Sequence, residues 1–199
     1  MKKLVLFSLL VVVAVFVGCD DDLTGPDWPD IPNDFTDLIC NGSFEDGERC
    51  WQLDSHHGTA WMSFPESGAA HGNRYARISQ LRESPEFYEV MLKQTGITLE
   101  AGNWYLVSLW ARAESPRSIW LMAMNDAEPY ENYGLWHEII LGSDWGHYQY
   151  AFRPEVSSRN ARFAICMGVT PETIDLDGVI LALPNNGRSQ QARKIIAAP

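Results

Sequence analysis

The chain predicts an all-β fold, a two-sheet antiparallel sandwich. Between Asp37 and Leu183 apolar residues recur at every second position over short runs, turn residues punctuate those runs, and helical periodicity is hard to find. Strands with one face buried alternate in this way, and many short ones in succession indicate two sheets packed face to face.

Before that region stand Met1-Lys2-Lys3, an apolar run from Leu4 to Val17, and Gly18-Cys19. Two lysines, an uncharged stretch shorter than the roughly 20 residues of a spanning helix, and a small residue before a cysteine describe a leader for export. Phe16-Val17-Gly18-Cys19 resembles the bacterial lipobox. The resemblance implies removal of residues 1–18 and lipidation of Cys19, which ties the protein to a membrane of the cell envelope through acyl chains only. Residues 19–36 follow as a stalk: Asp20 to Asp34 is acidic and carries Gly25, Pro26, Pro29 and Pro32, a composition that favours extended chain over a core.

The sandwich is expected over residues 37–183. Its clearest strand runs from Trp104 to Ala113, with Tyr105, Val107, Leu109 and Ala111 on one face and Leu106, Ser108, Trp110 and Arg112 on the other. In the next segment Ile119, Leu121 and Ala123 oppose Trp120, Met122 and Met124; later Tyr148, Tyr150 and Phe152 oppose His147, Gln149 and Arg153. Ala101-Gly102-Asn103, Ser115-Pro116, Gly142-Ser143-Asp144 and Thr170-Pro171 mark turns. Residues 184–199, opening with Pro184-Asn185-Asn186-Gly187, read as a flexible tail.

The formal charge of -11 becomes more negative once Lys2 and Lys3 leave with the leader. Such a surface repels phosphate backbones, so nucleic acid is excluded as a partner class, and anionic chains are disfavoured. With Cys19 committed to lipid, Cys40, Cys50 and Cys166 permit at most one internal bridge in a compartment that allows disulfides. Cys40 and Cys50 flank a turn-rich segment and would close a short loop, worth about 2 to 3 kcal/mol. Cys166 lies in the apolar run Phe163 to Met167 and reads as a small buried hydrophobe. The histidines show no zinc-ligand spacing with the cysteines.

Three separated motifs then stand out: Asn41-Gly42-Ser43-Phe44-Glu45 followed by Trp51; Leu99 to Tyr105 running into Val107 to Ala113; and Ile174 to Leu181 with Asp177 and Val179. Their order and spacing, with Trp145 before the late strand, resemble the family 4/9/22 type of carbohydrate-binding module. The resemblance implies a galactose-binding-like jelly roll, non-catalytic, with polysaccharide or oligosaccharide as partner. It also implies a structural calcium ion held by Glu45 and Asp177 with main-chain oxygens, Gly72 and Asn73 matching the place where backbone ligands are contributed. Without a metal, Glu45 and Asp177 would instead satisfy turn N–H groups.

A pyranose offers an apolar C–H face and a rim of hydroxyls, so flat rings beside a few fixed polar groups suit it. Among eight Trp, seven Tyr and eight Phe, Trp51, Trp104 and Trp145 read as core. Trp110 and Arg112 share a strand face, with Trp120 expected on a neighbouring strand. Tyr130, Tyr133 and Trp136 lie in a stretch that reads as a loop, where binding residues often sit. Trp61, Tyr88 and Gln94 are lesser candidates. The expected function is a surface-anchored lipoprotein, facing the periplasm or the exterior, that binds a neutral glycan by stacking. Two alternatives stand beside it: a protein-contact module, and a small glycosidase drawing a carboxyl pair from Asp126, Glu128, Glu131 and Glu138.

Overall fold

The structure is a computed structural model that describes residues 34–56, 60–80 and 82–185. The leader, most of the stalk with Cys19, and the tail beyond residue 185 lie outside the described residues.

Alternation gives β1 (Phe35–Asp37), β2 (Gln52–Ser55), β3 (Ala60–Ser63), β4 (Ala76–Gln80), β5 (Val90–Leu99), β6 (Tyr105–Ala113), β7 (Arg117–Asn125), β8 (Asn132–Leu141), β9 (Gly146–Phe152), β10 (Ser158–Cys166) and β11 (Ile174–Pro184). A 3-10 turn, Phe87–Glu89, leads into β5. The first sheet has the order β3-β4-β11-β6-β9, with β1 beside the far end of β11; the second has the order β2-β5-β10-β7-β8. From β4 onward the chain crosses between sheets at almost every connection, and only β7 and β8 are consecutive neighbours in one sheet. All the pairings are antiparallel, as a jelly-roll sandwich requires.

The core is the set of inward residues. Tyr105, Val107, Leu109 and Ala111 of β6, Ile119, Leu121 and Ala123 of β7, and Phe163 and Ile165 of β10 are all buried in one cluster with Leu92, Leu176 and Phe152. Burial on this scale, at about 25 cal/mol per Å² of apolar surface, is what holds two sheets together.

In the first motif Asn41, Gly42, Phe44 and Trp51 serve the fold. Asn41 donates from its amide to the carbonyls of Gly47 and Arg49, at 2.9 and 3.2 Å. Phe44 is wholly buried and stacks on Trp51 at 5.2 Å between ring centroids. Gly42 passes so close to β11 that a Cβ there would lie 1.8 Å from the carbonyl oxygen of Val179; only glycine permits the approach. Cys40 and Cys50 are joined as a disulfide across this turn, with Cα atoms 5.9 Å apart. Cys166 is free and buried against Met122.

The stretch expected as a loop is a loop only in part. Asn132–Leu141 is strand β8, because Tyr133, Leu135, Ile139 and Leu141 alternate at period two and supply an inward apolar face; a register shift falls opposite Ala123 and Met124.

Candidate functional site

Each sheet presents an outer face, and the sequence-predicted binding residues divide between them. On the first sheet Trp110 of β6 pairs with His147 of β9, the rings stacked at 4.8 Å and 14°, while His71 packs edge-on at 5.1 Å. Burial and the neighbouring His71 hold the His147 imidazole below its usual pKa. Asp175 of β11 stands in register between Arg77 of β4 and Arg112 of β6. It accepts from Arg77 Nε at 2.7 Å and from Arg112 Nε at 2.8 Å. The Arg112 guanidinium also lies 4.4 Å over the Trp145 ring. Trp110 and Arg112 thus share a strand face as expected, but both are engaged by their own neighbours.

Trp120 belongs to the other face, a correction to its expected place beside Trp110. The connection from β6 to β7 crosses between sheets, so consecutive strands are not lateral neighbours. Tyr133 is a second correction. At 5 % exposure it sits in the core cluster, which removes its ring from any surface platform.

The second sheet's outer face is read row by row from the register. Met91, Cys166, Trp120 and Glu138 lie side by side across β5, β10, β7 and β8, and Lys93, Ala164, Met122 and Trp136 form the next row. Asp54 and Gln52 of β2 extend these rows at the edge. Met91, Met122, Met124, Ala164 and Cys166 make a second apolar cluster, against which Phe87 and Trp120 pack. Phe87 meets Trp120 at 4.8 Å and Trp136 at 5.7 Å. Trp136 is 55 % exposed and Tyr88 45 %, so the ring cluster opens to solvent. Burial raises the pKa of Cys166 to about 12, which makes this thiol a packing group and no nucleophile.

The polar end of that face follows along β5 and β10. Lys93 Nζ is 2.7 Å from Asp54 Oδ2 and 3.8 Å from Asp126 Oδ1, and Arg162 Nη1 lies 3.6 Å from the same Asp126 oxygen. Tyr130 stands over the Arg162 guanidinium at 5.3 Å. Trp120, Tyr130 and Trp136 are therefore brought onto one face, and Trp110 and Arg112 onto the other. Phe87, Lys93 and Arg162 escaped the sequence reading. Their signal is the alternation of Met91 with Lys93 and of Arg162 with Ala164 and Cys166, together with an aromatic pair after Ser84-Pro85.

Glu45 and Asp177, from opposite ends of the domain, meet on one loop. Glu45 Oε1 accepts from the N–H groups of Asn73 and Arg74, at 2.7 and 3.1 Å, which lowers its pKa. Asp177, wholly buried, accepts from His71 N at 2.8 Å and Gly178 N at 2.7 Å, and burial raises its pKa. Gly72 lies beneath Glu45, where a Cβ would fall 2.2 Å from Oε1. The carboxylates satisfy turn N–H groups, and Asn73 presents its N–H to Glu45. Two carboxylates over a loop that leaves room only for glycine also form a donor set that suits a hard cation. No group of three or more His, Cys, Asp or Glu gathers among the described residues, so main-chain oxygens would have to complete such a shell.

A family model described as a carbohydrate binding domain matches residues 36–173. No curated protein matches the chain. Among solved structures, a CBM4 module is 22 % identical with a TM-score of 0.60, over 73 % of this chain and 99 % of its own. A CBM22 xylan-binding domain from Paenibacillus barcinonensis is 11 % identical with a TM-score of 0.57, over 76 % of this chain and 96 % of its own. The C-terminal family 22 carbohydrate binding module of a Clostridium thermocellum protein is 15 % identical with a TM-score of 0.53, over 74 % and 98 %. At these identities the structural likenesses speak for the fold.

Proposed function

Since this chain belongs to the carbohydrate binding domain family, a non-catalytic family, we propose that it binds a neutral glycan on the outer face of the second sheet, by stacking sugar rings on Trp136, Trp120 and Tyr88. The observation that carries this reading is the ring cluster of Phe87, Trp120 and Trp136, open to solvent and beside fixed polar groups. An exposed aromatic patch on a surface strand needs a partner with an apolar face, and a pyranose has one. Lys93 and Arg162 are offset by Asp54 and Asp126, so the site carries no excess charge to recruit an acidic chain.

The leader and the lipobox-like residues support the further reading that the protein is displayed from a bacterial envelope membrane through Cys19, on the stalk of residues 19–36. Loss of the membrane-associated form in Cys19→Ala is the expected outcome, and unchanged fractionation would refute it.

The test of binding is retention of the full chain on soluble β-glucan, xylan and galactomannan, with melting followed in parallel. Trp136→Ala is expected to lose about ten- to hundredfold in affinity, by analogy with ring stacking on bases, at nearly unchanged stability. Native-like melting with undiminished retention removes the platform. Retention of none of the glycans would favour a protein partner for the same rings.

We also propose that calcium completes the junction of Glu45 and Asp177. Its chemistry there would be structural, neutralising carboxylates drawn from both ends of the domain. A ligand that binds only the folded state raises its stability by mass action. A chelator is therefore expected to lower Tm, calcium to restore it, and Glu45→Ala to abolish the response. Superimposable melts with chelator and with calcium would rule the ion out.

A further inference from the structure

The rings of the platform do not all stand on strands. Trp120 and Trp136 belong to β7 and β8, but Phe87, the ring that meets both, and Tyr88 belong to the 3-10 turn Phe87–Glu89. Within itself that turn is held by the bond from Glu89 N to the Glu86 carbonyl at 3.2 Å. Among the described residues it has no side-chain cap, and none of its own residues is fully buried. So short a 3-10 piece is weak alone, and its geometry comes from what it rests on.

It rests on Gly168, in the loop between β10 and β11. Gly168 N donates to the Phe87 carbonyl at 2.8 Å and Met167 N to the Val90 carbonyl at 2.8 Å. The Gly168 carbonyl accepts from Ser84 N at 3.1 Å and from the Gln80 amide. A Cβ at Gly168 would fall 2.3 Å from the carbonyl oxygen of Glu86 and 3.1 Å from that of Phe87. Turn and loop are thus fitted backbone to backbone, an approach that glycine permits.

The loop in its turn is held by Arg117. The guanidinium donates from Nη1 to the carbonyls of Thr170 and Glu172, at 2.6 and 3.0 Å, and from Nη2 to the Met167 carbonyl. Arg117 is 5 % exposed, and among the described residues no carboxylate lies within ion-pair distance of it. A buried charge needs hydrogen bonds in place of its water, so these carbonyls are drawn round the guanidinium as a fixed shell. Arg117 also stands three residues before Trp120 on β7. One strand therefore carries a ring of the platform and the anchor of its neighbour.

Resting on the glycan reading above, we propose that Arg117 is a positioning residue for the platform: through the Gly168 turn it fixes the place of Phe87, and so of the rings that Phe87 gathers. It touches no sugar itself. A platform set in advance spares the ordering of side chains on binding, which is where its contribution to affinity arises.

The experiment uses the full chain and whichever of soluble β-glucan, xylan and galactomannan it retains, with affinity measured in the folded fraction. Arg117→Lys keeps the charge but not the planar fork, and Gly168→Ala leaves the guanidinium and pushes on the Phe87 turn. Each is expected to weaken binding about three- to tenfold and to alter the near-ultraviolet circular dichroism of the packed rings. On a Phe87→Ala background neither should weaken it further, because the ring they place is gone. Gly42→Ala, which acts at the junction with β11, is the control for general loosening and should leave affinity unchanged. Should Arg117→Lys fail to fold, Gly168→Ala decides the matter. Full affinity and native bands in a folded Arg117→Lys or Gly168→Ala protein overturn the positioning role and leave stacking on Trp136 standing. An equal loss in Gly42→Ala, or an undiminished effect on the Phe87→Ala background, overturns it as well. Retention of none of the glycans removes the stacking reading, and the ring bands alone then decide whether Arg117 places Phe87.

Discussion

At the scale of single residues, the most constrained position is one that touches no ligand. Gly42 sits where a Cβ would be 1.8 Å from the carbonyl oxygen of Val179, and its own carbonyl accepts from Val179 N at 2.9 Å. Neither backbone can withdraw without breaking the junction between the first motif and β11. Gly42→Ala is therefore expected to cost about 3 kcal/mol, the upper end of overpacking penalties, which a denaturant titration would read as a lower midpoint at unchanged slope. A change below 1 kcal/mol would mean that the approach relaxes freely. Asn41 and Phe44 show why this motif was legible as a unit and yet not as a site. Asn41 serves backbone carbonyls and Phe44 serves the core, so the motif identifies a fold while saying nothing of what binds. Tyr133 shows the opposite failure. In a stretch rich in polar residues its ring looks available, but Tyr133 has the same parity along β8 as Leu135, Ile139 and Leu141 and so points inward with them.

At the scale of elements, period-two alternation predicted correctly the core face of β6 and of β7, because burial of one face is a local property of the strand. Pairing is not local. Asp175 meets Arg77 and Arg112, which lie 98 and 63 residues away, and no short-range pattern reveals that register. The same limit put Trp120 beside Trp110, since the turn at Ser115-Pro116 gives no sign that the chain changes sheets there. The disulfide is an element-scale feature with a measurable share of stability. Its closed loop spans 10 residues of sequence, for which loop-closure entropy gives about 2 to 3 kcal/mol. Cys40→Ser paired with Cys50→Ser is expected to lose that amount, and a loss well under 1 kcal/mol would show that the turn is held by Asn41 and the Phe44–Trp51 stack alone. In the same oxidised protein Cys166, with its thiol pushed up to about 12 by burial, should resist alkylation until the sandwich unfolds.

At the scale of the whole molecule, the sandwich has two outer faces built by the same alternation, and their chemistry has diverged. On the first, Trp110 is stacked by His147 and Arg112 is bound to Asp175 and spread over Trp145, so the polar and aromatic groups satisfy one another. On the second, Phe87 gathers Trp120 and Trp136 into a cluster whose outer ring remains open, with Tyr88 exposed beside it. Groups already satisfied within the chain stabilise the fold, and groups left open can recognise something outside it. The two faces should therefore separate under mutation. Trp110→Ala removes a half-buried ring from two aromatic contacts, and should lower stability by about 2 to 3 kcal/mol with glycan affinity unchanged in the fraction that remains folded. Trp136→Ala should do the reverse, with stability altered by no more than about 1 kcal/mol and affinity falling by about ten- to hundredfold. Measuring both variants for melting and for retention makes a double comparison that a general loosening of the domain cannot imitate. If Trp110→Ala abolishes retention while melting as the native protein does, the first sheet is the binding face, and the pairings that close it must open to admit the ligand.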